Sequence, residues 1–207
     1  MNELVDMLKE ELPELDVKPL HMDYFEALKQ VEMFTERKNI TMFLGSNIGN
    51  FKQANLELFL TTLQSYFKPN DKLFLGVDLK KNPETILRAY NDPSGITASF
   101  NMNLLTRMNK ELGADFDLAK FQHYALYDPE NGEARSYIVS LEEQNVNFSA
   151  LNFSVNFEEG ESIHTEISRK YSLKGIDQLA QKTGFTTERN FLDTKHYYVN
   201  TMWEVVG

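Results

Sequence analysis

Four short segments of this chain carry residue types whose spacing can do chemistry. The run IHTEISRKYS, residues 163 to 172, alternates strictly, so Glu166 and Ser168 share one strand face with His164 while Arg169 points to the other. An acid and a hydroxyl on one face can recognise an imidazole or an amine; the wet face of an edge strand has the same pattern. FLGSNIGN, residues 43 to 50, is an apolar run opening into Gly45, Ser46, Asn47 and, further on, Asn50. Open α/β folds bind ligands at such a turn on the carboxyl edge of a parallel sheet. There Gly45 would let a ligand approach the backbone, and Asn50 offers both a donor and an acceptor. The alternative is a strand end with Asn50 as a helix cap. Asp23 and Tyr24 close an extended piece, where a carboxylate beside an aromatic ring can hold a purine base. A helix cap followed by a core aromatic is the competing account. Tyr90, in RAYNDPSG at residues 88 to 95, precedes an Asn-Asp-Pro-Ser-Gly turn and either points its hydroxyl into a cleft or packs.

Other chemistries find no support. His21, His123, His164 and His196 lack metal-ligand spacing, and there is no Gly-x-Ser-x-Gly elbow or phosphate loop. Cysteine is absent, which removes disulfides, thiolate zinc sites and cysteine nucleophiles together and suits a reducing cytoplasm.

The elements that must position these residues follow from hydrophobic periodicity. Leu4, Val5, Leu8 and Leu12 predict a first helix ended by Pro13, and YFEALKQVEMF predicts a second. NITMFLG, residues 39 to 45, predicts a strand buried on both faces of a parallel sheet. An amphipathic helix built on Ala54, Leu56, Leu58, Phe59, Leu60 and Leu63 then leads to a second buried strand, KLFLGVDL, at residues 72 to 79. Strand, helix and strand with short turns predict a parallel crossover. Beyond residue 80, helices over 83 to 91 and 96 to 111 precede HYALYD, RSYIVSLEE and NVNFSALNFSV, which predict a meander of antiparallel strands. A helix from Lys174 closing on Gly184 and a terminal strand pair complete the chain. The expected fold class is α/β: an open Rossmann-like sheet interrupted by an α+β insertion, the chain then returning to finish the sheet.

Composition narrows the partners. The 207 residues are 42% hydrophobic and 25% charged, ordinary for a globular protein with a sizeable core. No apolar run approaches the ~18 residues of a membrane helix, and MNELVDMLKE lacks the pattern of a secretory signal. With Asp+Glu 31 against Lys+Arg 21 the net charge is −10, which repels nucleic acid and anionic membranes. A small molecule or another protein is the expected partner, and the cytoplasm the expected compartment.

From about Leu20 to Val205 the chain resembles the histidine-specific Nα-methyltransferases of the ergothioneine pathway. The resemblance rests on FLGSNIGNF, LGVDLKK, RAYNDPSGITASFNMNLLTRMNKELGADFDL and IHTEISRKYS. It implies S-adenosylmethionine as cofactor and a methyltransferase domain split by an inserted substrate domain: residues 1–80, the insertion over 81–170, and the return over 171–207. By position, Asp23 and Tyr24 are implied to contact adenine and Gly45 to line the cofactor. Asn50 and Tyr90 are implied to hold the substrate's α-amino and α-carboxylate groups, and Glu166 with Ser168 to read the imidazole. Ser136 stands where histidine-specific members carry an apolar residue, which leaves another amino acid or related amine open as acceptor. Relative to the family pattern, this sequence lacks the upstream strand and glycine-rich turn that cradle the cofactor's methionine part. The resemblance therefore implies a C-terminal portion of the enzyme that, by itself, binds S-adenosylmethionine weakly and is inactive. The alternative is a non-catalytic fragment of the same fold that binds an amino acid or a partner. In either case the exposed edge of strand 39–45 is expected to be covered by residues 1 to 22 or to support self-association.

Overall fold

The computed structural model describes residues 2–34 and 38–205. Two helices, α1 (Asn2–Glu11) and α2 (Tyr24–Phe34), precede the parallel pair β1 (Ile40–Phe43) and β2 (Lys72–Asp78), joined by a 3-10 turn (Asn47–Asn50) and α3 (Gln53–Gln64). The expected crossover is present. Helix α3 forms because Leu56, Phe59, Leu60 and Leu63 recur at helical spacing and bury together on the sheet. Strand β2 buries Leu73, Leu75 and Val77 completely.

The chain then builds α4 (Pro83–Tyr90), α5 (Ile96–Leu112), β3 (Phe121–Asp128), β4 (Glu133–Ser140), β5 (Gln144–Phe148), β6 (Phe153–Phe157) and β7 (Ser162–Arg169). It returns through α6 (Leu173–Lys182), β8 (Phe185–Leu192) and β9 (Tyr198–Val205). The first sheet has the order β1-β2-β9-β8, with β9 antiparallel to both neighbours. Strand β9 reaches the centre from the far end of the chain and brings Trp203, fully buried, with its indole nitrogen donating to the Thr201 hydroxyl at 3.0 Å. Leu105, Phe116, Phe121 and Ile138 head a separate core beneath the insertion.

Three expectations need correction. The strand over 39–45 is not buried on both faces: Ile40 and Met42, which alternation puts on one face, are each 59% exposed, while Phe43 on the other face packs against the core; β1 is also the edge of its sheet, with no described strand on its outer side. The antiparallel strands do not form one continuous meander. β7 pairs with β4 in the order β3-β4-β7, while β5 and β6 make their own two-stranded hairpin. Finally, β7 carries a bulge. Ser136 pairs with Glu166 but the next residue, Tyr137, pairs with His164, so Thr165 is the extra residue. Directly paired residues share a face, so the bulge turns His164 away from Glu166 and Ser168 and sets its ring 5.0 Å from that of Tyr137.

Candidate active site

A cleft of about 510 Å³ opens at the carboxyl ends of β1 and β2, and Gly45, Asn50, Tyr90, Glu166 and Ser168 all line it. These five positions, separated by up to 123 residues of sequence (168 minus 45), come from the loop after β1, the end of α4 and β7.

Each is positioned by local chemistry. Gly45 (φ 77°) and Ser46 (φ 60°) are consecutive left-handed residues, a turn that favours glycine at the first position. Ser46 is held in that turn because its hydroxyl accepts from the Asp78 backbone N–H at 3.0 Å. The 3-10 turn presses against β7: a Cβ on Gly49 would lie 2.7 Å from the Arg169 carbonyl oxygen, so only glycine permits this approach. Asn50, exposed at the end of that turn, is not a helix cap; α3 starts after Lys52, which makes no side-chain capping bond. Tyr90 is the last residue of α4, a helix begun by Asn82, whose side chain accepts from Glu84 N–H at 2.8 Å, with Pro83 following. The next turn is set by Asp92, which accepts from Ser94 Oγ (2.7 Å), Thr97 N–H (2.8 Å) and Ile96 N–H (2.9 Å). Those bonds, the serine hydroxyl first, hold its carboxyl well below the usual range.

Strand β7 supplies Glu166, partly buried, and Ser168, 6% exposed. Lys170 extends the same face and is 4% exposed; its Nζ lies 2.7 Å from the Tyr90 hydroxyl, 2.8 Å from Ser168 Oγ and 2.9 Å from Asp78 Oδ2. Burial by itself would lower the ammonium's pKa, but the bonds and charges of Tyr90 and Asp78 outweigh it and hold it above the ordinary lysine value. Lys170 did not stand out in the sequence. The signal was available for Lys170, which continues the 166, 168, 170 alternation. Ser136, fully buried and opposite Glu166 in register, has a hydroxyl with no partner among the described residues, and buried Nε2 of His123 on the same face has none either. Burial lowers the His123 pKa, against the opposing charges of Glu166 and Asp92.

Asp23 and Tyr24 do not line this cleft. Asp23 Oδ1 accepts from Phe25 N–H at 2.9 Å as α2 begins, and the Tyr24 ring, 63% exposed, stands edge-on to Phe43 at 6.0 Å. Both remain open to solvent beside the end of β1, and a Cβ on Gly45 would meet only Asn47 Nδ2, at 3.6 Å. An exposed carboxylate, an exposed ring and an open backbone suit the adenosine part of a nucleoside cofactor. Among the described residues no group of three or more His, Asp or Glu side chains is arranged to hold a metal ion, and no helix is long and apolar enough to cross a membrane.

The histidine N-alpha-methyltransferase of Mycolicibacterium smegmatis is 37% identical over 166 residues, covering 80% of this chain and 51% of that protein. The Mycobacterium tuberculosis protein of the same name is 36% identical over 169 residues, covering 82% and 52% respectively. The chain thus spans about half the length of the curated relatives it matches. The Neurospora crassa ergothioneine biosynthesis protein 1 is 29% identical over 163 residues, covering 75% of this chain and 18% of that protein. The family profile described as histidine-specific, SAM-dependent methyltransferase matches residues 1–205, and the chain belongs to that family.

Proposed function

We propose that this chain forms the substrate cleft of an S-adenosylmethionine-dependent N-methyltransferase acting on the α-amino group of histidine or a related amino acid. One observation carries the reading: Asn50, Tyr90, Glu166 and Ser168, which family resemblance assigns to amino-acid binding, converge on a single cleft with Gly45. Residues 1–80 and 171–207 are read as the methyltransferase domain and 81–170 as the inserted substrate domain. The cofactor, when bound, supplies an electrophilic methyl group on a sulfonium. Asp23 and Tyr24 would hold its adenine and Gly45 would line it.

The chain's own residues bind and orient. Asn50 directs the amine lone pair and the Tyr90 hydroxyl fixes the carboxylate, so positioning supplies most of the rate. Glu166 and Ser168 select the imidazole, because a ring lacking its nitrogens would leave them unpaired in the cleft. No side chain is needed as general base, since the amine can lose its proton to water before binding. The net charge of −10 favours a small-molecule partner over nucleic acid or an anionic membrane, and the lack of cysteine fits a cytoplasmic home.

Calorimetric titration of the chain with histidine and with leucine tests the reading. Glu166→Ala should weaken histidine by about 1–3 kcal/mol and leave leucine nearly unchanged, whereas Asn50→Ala should weaken both. Equal losses for the two ligands in Glu166→Ala would remove the ring-reading role. A second reading, amino-acid binding without methyl transfer, is favoured by Asp23 and Tyr24 standing outside the cleft. Titration with S-adenosylhomocysteine separates the two: a tight site favours the enzyme, and its absence favours amino-acid binding without methyl transfer.

A further inference from the structure

Lys81, Asp78, Lys170 and Tyr90 are joined in one hydrogen-bonded chain across the wall of the cleft. Lys81 donates to Asp78 Oδ1, and Lys170 Nζ lies 2.9 Å from Asp78 Oδ2. Lys170 also donates to the Tyr90 hydroxyl at 2.7 Å and to Ser168 Oγ at 2.8 Å. Two ammonium groups thus share a single carboxylate, which leaves one positive charge in the group without a counter-ion. The side chains of Lys81 and Lys170 are only 12% and 5% exposed, so water screens that charge less than it would on the surface. Among the described residues that line the cleft, the only other charged side chain is Glu166. Glu166 and Lys170 stand four residues apart on β7 and its extension, about 13 Å along the strand, so the cleft is positive at one end and negative at the other.

An anion on the ligand is the complement of the uncompensated charge. The Tyr90 oxygen accepts from Lys170 and the hydroxyl still has its own proton to donate, so an anion at Tyr90 meets a hydroxyl polarised by the ammonium behind it. Lys81 comes from the segment between β2 and α4, and its Nζ lies 5.0 Å from the centre of the Tyr197 ring, another part of the cleft wall. We propose that Lys81 and Lys170, sharing Asp78, form a singly cationic station for the free α-carboxylate of the substrate. Lys81 acts from the cleft wall, and Lys170 is a positioning residue behind Tyr90. The station presupposes the reading of the cleft as an amino-acid site, and it narrows the substrate class to acceptors with a free carboxylate. An ester, an amide or a residue inside a peptide is disfavoured even where its side chain fits Glu166 and Ser168. A decarboxylated amine is disfavoured further, because its ammonium meets a like charge.

The experiment is calorimetric titration of the full chain at neutral pH with histidine, leucine, imidazolepropionate and histamine. The first three keep a carboxylate, and histamine has none. Histamine should bind the parent chain at least about tenfold more weakly than histidine. Lys81→Met should weaken the three carboxylates about tenfold, the effect of one partly screened charge a few ångströms away, and leave histamine as it was or tighten it. Lys170→Met should give the same pattern, and Lys81→Arg, which keeps the charge, should restore the parent values. Histamine weakened in step with the carboxylates would make the lysines structural supports, and unchanged carboxylate affinities in Lys81→Met would leave the charge without a role; either overturns this inference alone. S-adenosylhomocysteine carries a carboxylate of its own, and a loss in Lys81→Met confined to it overturns the inference as well. If Glu166→Ala lowers histidine and leucine alike, the ring-reading role fails while the carboxylate pattern still decides the station. Absence of binding by all three carboxylates to the parent overturns the functional reading and this inference with it. Should Lys170→Met not fold, the two Lys81 variants decide the matter.

Discussion

Replacing Gly49 by alanine would test whether the close approach of the 3-10 turn to β7 builds the cleft. The added Cβ would lie 2.7 Å from the Arg169 carbonyl oxygen and 3.1 Å from its nitrogen, both backbone atoms held in the β7 strand. Backbone cannot turn aside as a side-chain tip can, so the turn must move by some tenths of an ångström. Such overpacking typically costs about 1–3 kcal/mol. Opposing it, Gly49 is not in the left-handed region, so alanine reduces the freedom of the unfolded chain and returns about 0.4–1 kcal/mol. The net expectation is a loss of about 1–2 kcal/mol, which for a chain of 207 residues lowers Tm by about 2–8 °C. Because Asn50 ends the same turn, the hydrogen bond proposed for it to the substrate amine should lengthen as well, weakening histidine and leucine alike by about threefold to tenfold. Scanning calorimetry and ligand titration read the two effects. An unchanged or raised Tm would refute the packing argument, and a loss confined to histidine would refute the role given to Asn50.

Ser136→Ala removes a buried hydroxyl that has no partner among the described residues and should stabilise the fold by about 1 kcal/mol in denaturant titration; destabilisation would show that the hydroxyl is satisfied in solution. Glu133, buried between Arg169 and Arg135, has its pKa held below the ordinary 4.5: burial would raise it, but the bonds and charges of the two guanidinium groups prevail. Its stabilisation is present above that value and is lost as pH falls below it, so Glu133→Gln should flatten the acid limb of stability against pH, and an unaltered limb would contradict the account. The open edge of β1, with Ile40 and Met42 exposed, is expected to support concentration-dependent self-association that Met42→Lys reduces; a clean monomer at every concentration in sedimentation would count against it.

Most of the secondary structure was legible in the sequence, because it depends on local periodicity and on residues that start or stop elements. The 56, 59, 60, 63 spacing of α3, the Asn82-Pro83 start of α4 and the Gly113 end of α5 act within a few residues of themselves. The return of the chain to its first sheet was also legible, in the aromatic strands that follow Lys174. The resemblance of four long segments placed the chain in its family and nominated seven site residues. What the tertiary structure decided lies between elements. Packing left one face of β1, an edge strand, uncovered, so an apolar run is half exposed although its composition is that of a buried strand. One extra residue at Thr165 reversed the face of His164, and a period-2 pattern cannot reveal a bulge, because the pattern itself assumes unbroken alternation. The convergence of Gly45, Asn50, Tyr90, Glu166 and Ser168, with Asp23 and Tyr24 left outside, depends on how the inserted strands dock on the loop after β1. The surroundings of Lys170, unlike its place in the 166, 168, 170 alternation, became legible only there. Its three hydrogen-bond partners come from β2, α4 and β7, and a buried charge acquires its meaning from the groups that surround it in space.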